Sequence, residues 1–277
     1  MFKLHQYNIE FTAKKLGKTQ GFTGNAIRGS FGQALFETDK EIYNQLFEKN
    51  KKIPDKIKYL IQDNPPPPYI IDIIKFDTHI NKGQKIIFAL KLIGDYSKYI
   101  SKLYEVFEKM AQNTIAGIEL EFSGINKVTQ PDNQKPYFEL NDYKNRKFTD
   151  KNFGIILQSP TLLYNNKRLI TDFSFKTIFG YINRRIFILD QIYGDKKFKP
   201  IEKIPEITPN IIKLSKTGII RKPDNQPEYL LMGWKGKLDY HIKENADDIL
   251  PILLFGQHIQ IGTGTAFGMG KYKLEYL

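Results

Sequence analysis

Apolar and polar residues alternate from Phe2 to Phe11, and the residue types in this segment favour a β-strand. A basic connection and the turn-rich segment Gly21–Gly24 follow. Helical spacing then covers about Asn25–Phe36, and a second helical pattern covers Lys40–Glu48. The remaining elements predicted in the first half are strands over 69–74, 84–93 and 117–128 and a helix over 95–112.

The second half of the chain repeats this order of elements. A polar segment over 129–152, which carries Pro131 and Pro136, separates the halves and is predicted to be an interdomain connector. Two halves that each interleave strands with two helices predict an α+β protein built from a duplicated β-α-β-β-α-β unit, with domains over 1–140 and 153–277. The elements predicted in the second half are a strand over 153–158, a helix over 173–193, several strands within 200–240, a helix over 246–255 and strands over 258–261 and 271–277.

The charge of the chain narrows its function. Lys and Arg number 42 and Asp and Glu 30, which gives a net charge of +12 and predicts binding to a polyanion such as nucleic acid. A general bias toward Lys, Ile and Asn is the alternative explanation. The chain has no cysteine, which excludes disulfide scaffolds, thiolate zinc sites and cysteine nucleophiles. It has neither a signal-peptide block nor a membrane-length apolar run, so we expect a cytoplasmic protein with no membrane partner.

The most specific motif is Gly262-Thr-Gly-Thr-Ala-Phe-Gly-Met-Gly270, here called the glycine loop (residues 262–270). Its four glycines permit positive φ angles and close backbone approach, and exposed amides on such a loop can cradle phosphate oxygens. The alternative is a tight structural turn between two strands. The spacing matches neither a P-loop nor a dinucleotide-binding fingerprint, because a strand rather than a helix is predicted to follow the loop. A nucleotide cofactor is therefore not expected.

The glycine loop and the strand after it resemble the glycine-rich loop of the CRISPR-associated RAMP superfamily. Within that superfamily the chain is most similar to the endoribonucleases that process CRISPR precursor RNA. The segment Gly24-Asn-Ala-Ile-Arg-Gly-Ser-Phe-Gly32 resembles the first-helix segment of this family. Three further segments stand in the order of the family: Pro66–Ile71, Phe88–Gly94 and Gly256–Gly262.

The resemblance implies two tandem ferredoxin-like domains of RAMP type and an enzyme that cleaves CRISPR repeat RNA to crRNA without a metal ion or cofactor. In that reaction the ribose 2′-hydroxyl attacks the adjacent phosphate and leaves a 2′,3′-cyclic phosphate. CRISPR repeat RNA and crRNA are the implied partners, with CRISPR effector-complex subunits and a second copy of the chain as further candidates. The second hypothesis for function is a non-catalytic RAMP subunit that binds crRNA in an effector complex. A third is an unrelated polyanion-binding protein.

Many members of this family use a histidine in or near the first helix, but the chain has none between residues 25 and 36. His258, at the base of the glycine loop, is a candidate acid or base because histidine titrates near neutral pH. The alternative is that it packs against the strand predicted over 258–261. His5 and Tyr7 share one face of the first predicted strand and form a second candidate acid–base pair. They are equally explained as an ordinary half-buried strand face.

Arg28 lies beside Gly29 near the start of the first helix, and its planar guanidinium suits a phosphate. Ser30 in the same segment is a candidate hydrogen-bond donor to RNA. A surface arginine and a serine that favours the helix terminus are the alternatives. In the long helix of the second half, one residue of the pair Arg184–Arg185 must face water. The remaining predicted RNA contacts are Lys14, Lys15, Lys18 and Lys271, together with Gly262, Gly264, Gly268 and Gly270 of the glycine loop.

Overall fold

The computed structural model describes residues 1–19, 22–47, 53–61, 65–131, 134–147, 152–165, 168–221, 229–242 and 248–276. The chain forms two compact units. The N-terminal unit consists of residues 3–137 and 266–268, so it includes three residues of the glycine loop. The C-terminal unit consists of residues 1–2, 138–265 and 269–277.

The N-terminal unit contains an antiparallel sheet in the order β2-β3-β1-β4, with a two-residue strand beyond β4. This is the strand order of a ferredoxin-like β-α-β-β-α-β unit. Its long elements are β1 (Leu4–Ala13), α1 (Thr23–Thr38), α2 (Lys40–Phe47), β2 (Tyr69–Lys75), β3 (Lys85–Ile93), α3 (Leu103–Gln112) and β4 (Ile118–Lys127). Its short elements are the strands Gly17–Lys18, His79–Ile80 and Thr114–Ile115, the 3-10 helices Asp55–Ile57 and Gly94–Tyr99, and the helix Lys58–Ile61.

The core of this unit follows from the period-2 pattern of β1. Ile9 and Phe11 point to the same side of the sheet and are fully buried there, against Phe31 and Leu35 of α1. Ala266 of the glycine loop belongs to the same cluster of buried residues. The core of the N-terminal unit is therefore completed by a residue that lies far away in the sequence.

The C-terminal unit repeats the topology. Its sheet has the order β6-β7-β5-β8, and two helices connect its strands in the same pattern. Two units with one strand order confirm the α+β class and the tandem ferredoxin-like fold. The long elements are β5 (Asn152–Thr161), α4 (Phe175–Tyr193), β6 (Ile211–Arg221), β7 (Tyr229–His241), α5 (Ile249–Ile259) and β8 (Tyr272–Tyr276). The short elements are the strands Tyr164–Asn165 and Arg168–Leu169 and the 3-10 helices Leu140–Tyr143 and Thr265–Phe267.

Three predicted elements differ from the structure. The strand predicted over 258–261 is wrong, because α5 continues to Ile259 and ends where Gln260 takes a φ of 61°. The helix predicted over 95–112 is a 3-10 helix followed by α3, which begins only at Leu103. The strands predicted within 200–240 begin at Ile211. Within the described ranges, no helix is both long and apolar enough to cross a membrane.

Candidate functional site

The four glycines of the loop all take positive φ angles, between 75° and 84°, as the motif predicts. Two of them also permit very close backbone packing. A side chain on Gly262 would place its Cβ 2.3 Å from the carbonyl oxygen of Leu162, and one on Gly270 would lie 1.8 Å from the carbonyl oxygen of Ile261. Much of the glycine requirement therefore comes from the packing of the loop on its own unit.

The glycines of the loop differ in their exposure. Gly268 and Gly270 are buried, so the RNA contact predicted for them is not accessible in this structure and both have a packing role instead. Gly262 and Gly264 are partly exposed, and within the described residues their amides donate to no protein acceptor. Among the described residues of the loop, the amides of Gly262 and Gly264 therefore stay candidates for the predicted phosphate contact, whereas the Thr263 amide donates to the Leu162 carbonyl at 3.0 Å.

Arg185 holds the glycine loop in place from α4. Its Nε donates to the carbonyl of Ile259 at 3.0 Å, and its Nη2 donates to the Thr265 hydroxyl at 2.8 Å. Burial lowers the pKa of this guanidinium to about 10, and Tyr193 acts in the opposite direction. Arg184, its neighbour, is exposed. The sequence required one of the two to face water but did not reveal that the other fixes both the end of α5 and the loop.

Arg28 occupies a defined position in the N-terminal unit. Its guanidinium carbon lies 5.1 Å from the ring centre of Phe47 and 5.6 Å from that of Phe267, which are cation–π distances. Burial raises the pKa of the neighbouring Tyr69 to about 12, with Arg28 partly offsetting the rise. No carboxylate among the described residues pairs with Arg28. A cation held by two rings and left without a counter-charge is suited to a phosphate.

The start of α1 lies directly against the glycine loop. Gly24 is buried, and a Cβ at this position would lie 1.8 Å from the carbonyl oxygen of Phe267. The close approach of helix and loop therefore depends on a glycine, and it places the Phe267 ring over Arg28. Ser30, one turn along the helix, is partly exposed and has no hydrogen bond to a described residue.

His5 is the centre of a second polar cluster in the N-terminal unit. It is half-buried, and its ring centre lies 5.6 Å from that of Tyr137, whose ring also carries the Lys3 ammonium group at 4.4 Å. Burial is the main cause that lowers the His5 pKa, followed by the positive charges of Lys127 and Lys3, while the Pro136 carbonyl opposes them. The imidazole is therefore held in its neutral form near neutral pH.

The two nitrogens of His5 differ in their surroundings. Nδ1 is buried and has no hydrogen-bond partner among the described residues, whereas the ring as a whole is partly exposed. Lys3 and Lys127 are exposed and form no ion pair within the described part of the chain. Because β1 pairs with β4, Tyr7 lies opposite Lys127, and this pairing brings Lys127 to the cluster. The sequence indicated His5 but not Lys3, Lys127 or Tyr137.

Tyr7 does share the strand face of His5, but it is only 5% exposed and packs within the hydrophobic core. Burial also raises its pKa. His258 lies in the last turn of α5, where its Nε2 is 2.8 Å from the Tyr143 hydroxyl and its ring stacks on Phe138 at 4.2 Å. These contacts favour the packing alternative for His258.

The predicted lysines occupy different environments. Lys14 and Lys18 are exposed in the connection after β1, and Lys15 in the same connection pairs with Glu119 at 2.9 Å. Lys271 is partly exposed, and its backbone amide donates to the Ser159 hydroxyl at 2.8 Å. Among the described residues, no group of three or more His, Asp or Glu side chains is arranged to hold a metal ion.

Two family models match the chain one after the other. Residues 2–149 match AF_1859_N, an N-terminal domain. Residues 155–272 match the model described as CRISPR-associated endoribonuclease Cas6. The second of these matches identifies residues 155–272 as similar to the CRISPR-associated Cas6 endoribonucleases. The RAMP-superfamily resemblance seen in the sequence is thereby confirmed, and the match supports a role in CRISPR RNA processing.

Solved structures show the same fold over the full length. A Cas6 product complex has a TM-score of 0.59 at 13% identity, with 99% of this chain and 100% of that chain covered. Thermus thermophilus Cas6 has a TM-score of 0.59 at 10% identity, with 99% of each chain covered. A RAMP protein binding different RNA substrates has a TM-score of 0.51 at 14% identity, with 98% and 99% covered. No curated protein sequence matches this chain.

Proposed function

We propose that this chain is a Cas6 endoribonuclease that cleaves CRISPR repeat RNA to crRNA without a metal ion. A base removes the proton of a ribose 2′-hydroxyl, and the 2′-oxygen attacks the adjacent phosphorus. The bond from phosphorus to the 5′-oxygen breaks, and an acid protonates that oxygen. The products are a 2′,3′-cyclic phosphate and a 5′-hydroxyl. Three observations support RNA as the ligand: the match of residues 155–272 to the Cas6 model, the net charge of +12 and the fold shared with a RAMP protein that binds RNA substrates.

The observation that carries the catalytic proposal is the environment of His5. A general base must be neutral at the working pH and must present a free nitrogen. The lowered pKa of His5 supports the first property, and the partial exposure of its ring supports the second. The unpaired ammonium groups of Lys3 and Lys127 would stabilise the charge on the phosphorane, and one of them would donate the proton to the leaving 5′-oxygen.

Binding of the RNA backbone is proposed for a separate set of groups. Arg28 would pair with a phosphate, because its guanidinium is fixed by two rings and has no carboxylate partner. The amides of Gly262 and Gly264, which have no acceptor among the described residues, would donate hydrogen bonds to another phosphate. Ser30 and the side chains of Lys14, Lys15, Lys18 and Lys271 would add weaker contacts. Tyr7 and His258 remain catalytic candidates from the sequence, but their packing makes them weaker candidates than His5.

The test incubates the purified full chain with an end-labelled CRISPR repeat RNA in EDTA. We expect cleavage at one position, with a 2′,3′-cyclic phosphate on the upstream fragment. The His5→Gln variant should cut about 10²- to 10⁴-fold more slowly, the usual contribution of general acid–base catalysis, with an unchanged Kd for the RNA. His79→Gln is the matched control, because His79 is an exposed histidine in the same unit. Equal rates for both variants would remove His5 from the mechanism.

The second candidate is a non-catalytic RAMP subunit that binds crRNA in an effector complex. The specific observation in its favour is the absence of a histidine from α1. In the same assay such a subunit would bind the repeat RNA tightly and leave it intact, with or without Mg²⁺. Cleavage that appears only after a divalent ion is added would contradict both proposals.

A further inference from the structure

A surface pocket lies beside α4 in the C-terminal unit and is not part of either site proposed above. Its volume is about 330 Å³, at the lower end of the range for small-ligand sites. Gly180 opens one wall of the pocket, because a Cβ there would meet no atom closer than 4.0 Å. The polar groups that line the pocket are the side chains of Asn165, Asp172, Tyr181 and Arg184.

The cations at the pocket are unpaired and ordered. The guanidinium carbon of Arg184 lies 5.0 Å from the ring centre of Tyr181, and the Tyr181 hydroxyl donates to the carbonyl of Tyr164 at 2.7 Å, which fixes the ring. Arg168 pairs with Asn165 across two short strands and lines an adjoining pocket, which shares Asn165, Ile170 and Asp172 with the first. Neither arginine has a carboxylate partner among the described residues. Two such guanidinium groups at adjoining pockets favour a phosphate ligand.

Asp172 gives the pocket a hydrogen-bond acceptor in addition to its cations. Its carboxylate accepts hydrogen bonds from the Thr177 hydroxyl and from the amide and hydroxyl of Ser174, at 2.9 and 3.0 Å for the latter two. These bonds, the Thr177 one first, lower its pKa, so it is ionised near neutral pH and acts only as an acceptor. A carboxylate offers about four acceptor positions, and these three donors leave one for a ligand hydroxyl.

We propose that this pocket binds one ribonucleotide of a single-stranded RNA segment. The phosphate pairs with Arg184 and Arg168, the ribose 2′-hydroxyl donates to Asp172, and the base lies against the stacked plane of Arg184 and Tyr181. The choice of RNA as the ligand rests on the proposed function. The preference for RNA over DNA does not rest on the proposed function. It follows from the Asp172 carboxylate, which only accepts hydrogen bonds and lies beside two cations that suit a phosphate. Recognition of the 2′-hydroxyl is what separates the two nucleic acids at a site of this kind.

The test titrates the full chain with adenosine 5′-monophosphate and with its 2′-deoxy counterpart by calorimetry. We expect the ribonucleotide to bind at least about 5-fold more tightly, because its 2′-hydroxyl adds one hydrogen bond to the charged Asp172 carboxylate. Arg184→Ala should weaken binding about 10-fold or more, and Asp172→Asn should reduce the preference for the ribonucleotide. Lys213→Ala is the matched control, because it removes an exposed unpaired cation from β6 in the same unit.

Gly180→Leu provides a variant that leaves every charge in place. Its side chain would fill the open wall of the pocket while favouring helix, so circular dichroism should show an intact fold and calorimetry a loss of nucleotide binding. The proposal is overturned if the wild-type chain does not bind the ribonucleotide, or if Arg184→Ala and Gly180→Leu bind it as the wild type does. If the chain binds the nucleotide through this pocket but leaves repeat RNA intact, the proposed cleavage activity is refuted and the binding site is not.

Discussion

Two glycines of α1 are predicted to respond to alanine with opposite signs. Gly24 is buried, and a methyl group there would lie 1.8 Å from the carbonyl oxygen of Phe267 and 2.7 Å from the ring of Phe22. Gly29, in the same helix, is exposed, and a methyl group there meets no atom within 4 Å. The pair therefore separates the effect of the helix–loop contact from the effect of helix propensity.

The magnitudes follow from these distances. Alanine is favoured over glycine inside a helix by about 0.5–1 kcal/mol, so Gly29→Ala should raise the free energy of unfolding by that amount. At Gly24 the same gain is opposed by a carbon–oxygen overlap that only a backbone shift can relieve, and overpacking of this kind costs about 1–3 kcal/mol. The two variants should therefore differ by roughly 1–3 kcal/mol, or roughly 2–12 °C in Tm at about 2–4 °C per kcal/mol.

Thermal and urea unfolding followed by circular dichroism measure this difference directly. Titration with repeat RNA provides a second measurement, because the backbone shift at Gly24 would move the Phe267 ring that packs on Arg28. We expect Gly24→Ala to be less stable than the wild type and to bind RNA more weakly. If Gly24→Ala is as stable as Gly29→Ala, the loop does not pack on α1 as described.

Three further predictions follow from other residues. Gly270→Ala should destabilise the chain by about 1–3 kcal/mol more than Gly83→Ala in urea titrations, because both have positive φ but only Gly270 meets backbone. Arg185→Met should lower the urea midpoint by the equivalent of about 1–3 kcal/mol, because it removes the hydrogen bonds that the guanidinium donates to the Ile259 carbonyl and the Thr265 hydroxyl. The lowered pKa of His5 means that the unfolded chain binds a proton at this residue near pH 6.5, whereas the folded chain binds it only at a lower pH. Its contribution to stability is therefore complete above pH 6.5 and is lost as the pH falls below that value, and His5→Gln should flatten this slope in urea midpoints measured from pH 8 to 5.

The sequence predicted the fold well because the evidence for it is local. The alternation in β1 and the order of strands and helices predicted both ferredoxin-like units, and the glycine spacing predicted the positive φ angles of the loop. The end of α5 was mispredicted, since His258-Ile-Gln-Ile261 suits a strand as well as the last turn of an apolar helix. Only the left-handed backbone at Gln260 and the Arg185 bond to Ile259 determine where that helix stops.

The candidate site was harder to predict because it depends on contacts between distant residues. Lys127 reaches His5 through the pairing of β1 with β4, and Tyr137 reaches it from the segment after β4. Which arginine of the 184–185 pair faces inward depends on the packing of α4, which no spacing rule specifies. The burial of Gly268 likewise depends on its packing against Ile71. The glycine itself does not reveal this, because the same residue suits both an exposed phosphate-binding loop and a buried close contact.

The assignment of residues 266–268 to the N-terminal unit has a consequence for synthesis on the ribosome. Ala266 fills part of a core whose other buried members lie between Tyr7 and Leu120. A nascent chain that has emerged only as far as Tyr137 still lacks this residue, so its first unit has an incomplete core until Ala266 has also been synthesised. Ribosome-stalled fragments that end before and after residue 268 should therefore differ in their resistance to protease within the first 137 residues.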